Sequence, residues 1–217
     1  LIILGINNFT NFNDINNQKY FNSLVVLNHQ LEILSLYNKI NLVPFGEFLP
    51  FEKTLSKFGF KKITPGYSSF SSGDIRETIN LGKKFNEKSI LPLICYEIIY
   101  SGKIKKKNQL PDLVVNISED AWFGRSIGPH QHFTKAIYRS IEEGVFIARS
   151  ANKGISAFVN PNGEVLKSLN TGESGNIELN FPYFNKPTLF SNYGNKIFFL
   201  IILLYIFLTL IFKKLKI

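Results

Sequence analysis

A single cysteine, Cys95, closes the apolar run Ile90-Leu91-Pro92-Leu93-Ile94 and is followed at once by Tyr96 and Glu97. A cysteine can act as a nucleophile when its thiol ionises, a base takes the proton, and donors hold the oxyanion that forms on the substrate. Cys95 supplies the thiol. Lys39 is a candidate cation, because an ammonium near sulfur favours the thiolate and can stabilise a developing oxyanion. Glu47 and Glu97 are candidates to accept protons or to orient Lys39. A hydroxyl and a carboxylate directly after the sulfur do not belong in an inert core. Each residue also has an ordinary reading. A lone cysteine ending an apolar strand is commonly a small buried hydrophobe, a lysine after a hairpin is commonly solvated, and a single glutamate is commonly a surface or salt-bridged carboxylate.

His130 and His132 flank Gln131 and invite a metal reading. No cysteine or acidic cluster completes a ligand set, and alternate residues of a helix face apart, so no metal is expected. Nothing in the spacing favours a protease-type Cys-His pair. Trp122, the only tryptophan, is either a packed core residue or, with Phe123 and the hinges Gly124 and Gly128, part of a lid over an apolar substrate.

The elements around these residues read as a layered α/β fold. Residues 90–100 form a buried strand that brings Cys95 to its carboxyl end, where such folds open a crevice for reactive groups. Residues 1–4 read as a strand followed by an Asn-rich loop over 7–17. Residues 23–27 and 32–37 form a hairpin about Asn28-His29-Gln30 that delivers Asn38 and Lys39 to its far end. Two prolines and a glycine in residues 41–50 forbid a regular element and make a shaped loop. A short helix over 52–58 precedes a Ser/Gly-rich loop over 63–76. The basic connector 103–107 leads to a neighbouring parallel strand at 111–118. Between Pro129 and Val145, apolar Phe133, Ile137, Ile141 and Val145 recur every four residues, which predicts a helix with that face to the core. Strands are expected at 146–149, 155–159 and 164–169, the last two joined by the turn Asn160-Pro161-Asn162-Gly163.

Length and charge bound the partners. The 217 residues suffice for one domain with a real core, and one cysteine excludes an internal disulfide. The chain has no methionine and begins inside an apolar run, so it reads as a piece of a longer polypeptide. Lysine and arginine number 25 against 16 acidic residues, a net charge of +9. Much of that excess lies beside the apolar tail, at Lys196, Lys213, Lys214 and Lys216, which points to a membrane; no nucleic-acid motif is present. Residues 197–212 carry only Thr209 as a polar interruption and span roughly 24 Å as a helix. A buried core helix is the other reading. The closing lysines favour a transmembrane helix with a basic cytoplasmic tail, which puts the globular domain outside the cytoplasm.

Taken together, Tyr37-Asn38-Lys39, Leu42-Val43-Pro44-Phe45-Gly46-Glu47, Ile94-Cys95-Tyr96-Glu97, Asn116-Ile117-Ser118, Asp120-Ala121-Trp122-Phe123-Gly124 and Gly128-Pro129-His130-Gln131-His132 resemble the apolipoprotein N-acyltransferases. Arg149-Ser150-Ala151-Asn152-Lys153-Gly154-Ile155-Ser156 and Pro161-Asn162-Gly163 continue the likeness in order, and the terminal apolar helix fits it. The resemblance implies a nitrilase-like α-β-β-α sandwich, truncated at its N-terminus, over residues 1–190, and a transmembrane helix with its tail over 191–217. It implies a Glu-Lys-Cys triad in which Cys95 is the nucleophile and Lys39 the lysine. The triad glutamate falls upstream of the lysine segment and is absent from this chain. Glu47, Tyr96 and Glu97 match accessory positions, and Trp122 and Phe123 a substrate lid. Glu119 and Lys153 depart from the family's pattern.

The implied activity is transfer of an acyl chain from a phospholipid, through a Cys95 thioester, to the N-terminal amine of a diacylglyceryl apolipoprotein. It would take place at the periplasmic face of the bacterial inner membrane, by a monomer needing no cofactor. This fragment alone is expected to be inactive. The alternatives are a carbon-nitrogen hydrolase acting on a small amide, which has no use for the apolar tail, and a non-enzymatic membrane-anchored binding domain.

Overall fold

The computed structural model describes residues 1–10, 18–62, 69–105, 109–180 and 186–214. The expected loops over 7–17 and 63–76, the basic connector and the basic tail therefore fall partly outside the described residues. Strands β1 (Ile2–Phe9), β2 (Tyr20–Leu27) and β3 (Ile33–Asn38) form an antiparallel sheet in the order β1-β2-β3. The first strand runs further than expected. Asn7, Asn8 and Phe9 pair with Asn22, Phe21 and Tyr20, because antiparallel pairing satisfies the backbone whatever the polarity of the side chains.

A short helix α1 (Glu52–Leu55) then leads to a second, six-stranded sheet. It comprises β4 (Ile79–Asn80), β5 (Ser89–Ile94), β6 (Leu113–Glu119), β7 (Phe146–Asn152), β8 (Ser156–Val159) and β9 (Val165–Leu169), in that order. Strands β5, β6 and β7 are parallel, and β4, β8 and β9 join antiparallel. Pro92 is tolerated within β5 because β4 reaches only Ser89 and Ile90.

The unbroken apolar run of β5 is explained by burial on both faces. Ile90 and Ile94 join Leu24, Val26, Tyr37 and Val115 in a core between the two sheets. Leu91 and Leu93 join Val114, Ile147, Val159, Phe133 and Ala136 in a core between the large sheet and helix α2 (Gly128–Glu143). The layers are therefore small sheet, large sheet and helix.

The buried face of α2 is partly the expected one: Phe133 and Val145 are core and Ile137 packs against it, but Ile141 does not follow. Pro129, His132, Phe133, Ala136, Arg139, Ser140 and Glu143 face inward, whereas Ile141 is 43% exposed. A strict four-residue spacing drifts by about 40° per step on a helix of 3.6 residues per turn, so it cannot stay on one face. The helix stops at Gly144, which takes φ 67°.

Two C-terminal helices follow, the short α3 (Leu189–Tyr193) and the long α4 (Lys196–Lys214). Thr188 caps α3 by accepting from the Ser191 amide at 2.9 Å, and the Asn195 amide side chain donates to Ser101 O at 3.3 Å. Helix α4 has 19 residues, about 28 Å of length, and is long and apolar enough to cross a membrane. The described residues bury none of it, unlike a helix of this domain's core.

Candidate active site

Cys95 follows the last residue of β5 and adopts φ 50°. A non-glycine residue in the left-handed region costs about 1–2 kcal/mol and persists only where its surroundings over-determine it. On one side of this turn the determinant is Glu97, which is fully buried. Its carboxylate accepts from the Ile94 amide at 2.9 Å, the Ile40 and Asn41 amides at 3.0 and 3.1 Å, and the Tyr37 hydroxyl at 2.8 Å. The Arg76 guanidinium also donates to it and neutralises it. One carboxylate thus fastens the backbone after Lys39 to the backbone before Cys95. Burial and the neighbouring Glu97 push the Tyr37 phenol above its ordinary range, against the pull of Arg76, so it remains a donor.

Lys39 comes directly after β3 and is 1% exposed. Its ammonium lies 2.7 Å from Glu47 Oε2. Glu47 also accepts from the Asn22 side chain at 2.8 Å and from the Val43 amide at 2.8 Å. The Pro/Gly loop makes that return possible: Phe45 takes φ 62°, and the Glu47 amide donates to Val43 O at 2.8 Å. The loop folds back on itself and aims Glu47 at the end of β3.

On the other side of Cys95 lies a second buried group. Asp120 is fully buried just past β6 and accepts from Ser118 Oγ at 2.6 Å, Arg149 Nη2 at 2.7 Å and His132 Nδ1 at 2.9 Å. Burial alone would raise its carboxyl, but His132, Arg149 and Ser118 together hold it below the usual range. Burial pulls Arg149 down from the usual guanidinium value, with Asp120 opposing. His132 Nε2 lies 3.3 Å from the carbonyl oxygen of Cys95.

Ligand atoms of Cys95, Asp120 and His132 lie within 4.8 Å of one another. Arg149 Nη2 stands 2.7 Å from Asp120 and 3.1 Å from His132 Nδ1, so a fixed positive charge already occupies the place a cation would need. His130, by contrast, is exposed.

Tyr96 is half-buried, with its ring edge-on to Tyr100 at 5.6 Å. Trp122 is 63% exposed, so it is not core. Phe123 lies beside the His132 ring with centroids 5.6 Å apart. Glu119 caps the turn Asp120–Phe123 by accepting from the Ala121 amide, and it also accepts from Asn152. Lys153 sits at φ 56°.

Sequence reading passes over Arg76 and names Asn116, Asp120 and Arg149 only as parts of motifs, with no role at the site. A signal exists for two of them, since Asn116 and Arg149 interrupt otherwise apolar strands and are buried there. Arg76 lies in a polar loop that gives no such contrast.

The carbon-nitrogen hydrolase family model matches residues 1–180. The chain is 39% identical over 175 residues to an apolipoprotein N-acyltransferase of Bradyrhizobium diazoefficiens, covering 81% of this chain and 32% of that protein. It is also 39% identical over 199 residues to an apolipoprotein N-acyltransferase of Rickettsia prowazekii, covering 89% of this chain and 39% of that protein. The chain thus spans about a third of the length of these curated relatives. Among solved structures, a variant of the Nesterenkonia AN1 amidase of the nitrilase superfamily is similar at TM-score 0.48 and 15% identity, over 78% of this chain and 57% of that one. With its antiparallel three-stranded sheet paired to a mixed six-stranded one and a family match that covers most of its length, the chain belongs to the carbon-nitrogen hydrolase family.

Proposed function

We propose that the protein carrying this chain is an apolipoprotein N-acyltransferase. One observation carries the choice within the family: the turn that presents Cys95 shares a chain with a 19-residue apolar helix that nothing buries. A small-amide hydrolase has no use for such a helix, whereas an enzyme drawing acyl chains from phospholipid needs its nucleophile at a membrane. Two relatives named apolipoprotein N-acyltransferase at 39% identity support the same reading. In this reading residues 1–190 form the acyltransferase domain and 191–217 the anchor, with Lys213 and Lys214 cytoplasmic and the domain on the periplasmic face of the inner membrane.

The reaction has two steps. The Cys95 thiol gives its proton to the triad glutamate that the resemblance implies and that these 217 residues do not supply. The sulfur attacks the ester carbonyl of a phospholipid, the carbon–oxygen bond breaks, and the lysophospholipid leaves as its alcohol with that proton. The buried Lys39 ammonium, held by Glu47, and the Tyr96 backbone N–H carry the oxyanion. The α-amine of a diacylglyceryl-cysteine lipoprotein then attacks the thioester, the carbon–sulfur bond breaks, and an amide and the free thiol result. In this reading Trp122 and Phe123, exposed on the turn after β6, serve as a lid that closes over the bound lipid and excludes water.

The test is to incubate the complete polypeptide with labelled phospholipid and then with a diacylglyceryl lipopeptide. A hydroxylamine-sensitive label on Cys95 that moves to the lipopeptide is expected, with no label on a Cys95→Ala variant. Amide hydrolysis without lipid labelling would make the protein a hydrolase instead.

A further inference from the structure

We propose that His132 is a positioning residue for Cys95: anchored by Asp120 and Arg149, it holds the Cys95 carbonyl and so maintains the left-handed turn that presents the thiol. This rests on the reading of Cys95 as the nucleophile.

Buried side chains form a closed circuit around the end of β5. Asn116 Nδ2 donates to Leu93 O at 3.1 Å, and Arg149 Nη1 donates to Asn116 Oδ1. Arg149 Nη2 donates to Asp120 Oδ2, His132 Nδ1 lies 2.9 Å from Asp120 Oδ1 and 3.1 Å from Arg149 Nη2, and His132 Nε2 lies 3.3 Å from Cys95 O. The circuit leaves the chain at Leu93 and returns to it at Cys95, two residues later, so the carbonyls on both sides of Ile94 are gripped from β6, β7 and α2. Strand register makes this possible, because Leu93, Asn116 and Arg149 are lateral neighbours across β5, β6 and β7. Asn116, Asp120, His132 and Arg149 are all buried, and burying so many polar groups is tolerated only when each finds its partner.

The same geometry argues against two other roles. His132 has both ring nitrogens committed, one to a carboxylate and one to a carbonyl, so it cannot take the Cys95 proton without breaking the circuit. Arg149 beside both Asp120 and the ring opposes a metal ion. What remains is a device that spends its hydrogen bonds on backbone geometry.

The test uses the complete polypeptide with single-turnover acylation by labelled phospholipid. His132→Phe keeps a ring but loses both donors, and is expected to lower the acylation rate constant roughly 10–100-fold with little change in donor KM. His132→Gln keeps an amide N–H near the Cys95 carbonyl and is expected to recover much of that loss. Wild-type speed in His132→Phe, equal losses in both variants, or a change confined to KM would overturn the proposal while leaving acylation of Cys95 intact. Failure of the wild type to acquire label on Cys95 at all would instead sink the functional reading first. Should His132→Phe not fold, histidine 15N spectra of the wild type decide the matter: Nε2 of His132 must carry a proton, and an unprotonated Nε2 overturns the assignment.

Discussion

The Lys39 ammonium lies 2.7 Å from Glu47 Oε2 in a place that admits almost no water. A buried cation that loses its counter-charge is left with its desolvation penalty, which makes breaking such a pair cost about 3–5 kcal/mol. Glu47→Gln keeps the shape and removes the charge, so it should lower the free energy of unfolding by that order. Lys39→Met with Glu47→Leu should cost clearly less than the two single changes added together. Additive losses in a double-mutant cycle would mean that the two groups are not coupled.

Two aspartates set the acid limit of the fold. Burial opposes ionisation of both Asp120 and Asp112, yet each is held below its ordinary value, Asp120 by His132, Arg149 and Ser118, and Asp112 by Ser89 and Lys88. A depressed carboxyl contributes stability above its unfolded pKa and loses it as pH falls through the folded one, so stability should drop below about pH 4. Glu143 has the opposite sign: burial pushes its carboxyl up against the pull of Lys105, so protonating it in milder acid favours the folded state. Denaturant titrations between pH 7 and pH 3 should show little loss down to about pH 5 and a steep one below 4. Asp112→Asn should flatten that acid limb, and an unchanged slope would remove Asp112 from the account.

Much of the fold was legible because hydrophobic pattern and turn chemistry agree with it. The hairpin leading to Lys39, the parallel pair β5 and β6, and the Asn160-Pro161-Asn162-Gly163 turn all stand where the pattern puts them. The phase of α2 was legible only in part: Phe133, Ile137 and Val145 do meet the core, but its inward face also carries His132, Arg139, Ser140 and Glu143, which an apolar count passes over. The same blindness hid half of the site. Cys95 and Lys39 are conspicuous by type and position, whereas Asp120 and Arg76 acquire meaning only from partners far away in sequence, such as Arg149 and Glu97.

Lys153 is a local misfit. It holds φ 56°, a region asparagine and glycine enter more easily than lysine. Lys153→Asn should therefore stabilise the fold by about 0.5–1 kcal/mol, a rise of roughly 1–4 °C in Tm for a chain of this size. A fall in Tm would indicate that the lysine side chain makes a contribution larger than its backbone strain.

Helix α4 is long and apolar enough to cross a membrane, and the described residues bury none of it. A charge at its middle should act on membrane partition alone. Leu204→Arg is expected to disfavour insertion of this span by about 2.5–3.5 kcal/mol, with residues 1–217 shifting from the carbonate-resistant to the soluble or aggregated fraction. Undiminished carbonate resistance would count against α4 as the anchor.

Gly154 tests the Asp120 circuit from its outer side. A methyl group placed there would stand 2.3 Å from Asp120 Oδ2 and 2.7 Å from its Cβ, too close for any real contact. Asp120 cannot retreat without stretching its bonds to Ser118, Arg149 and His132, so the strain of Gly154→Ala must pass along the circuit to the Cys95 carbonyl. Overpacking of this kind costs about 1–3 kcal/mol in stability. If Asp120 governs the geometry of the nucleophile, the acylation rate should fall roughly tenfold or more even at temperatures where the variant is fully folded. Circular dichroism beside single-turnover labelling separates the two effects. A Gly154→Ala protein that is folded, destabilised and yet acylated at normal speed would show that the turn at Cys95 is held without help from Asp120.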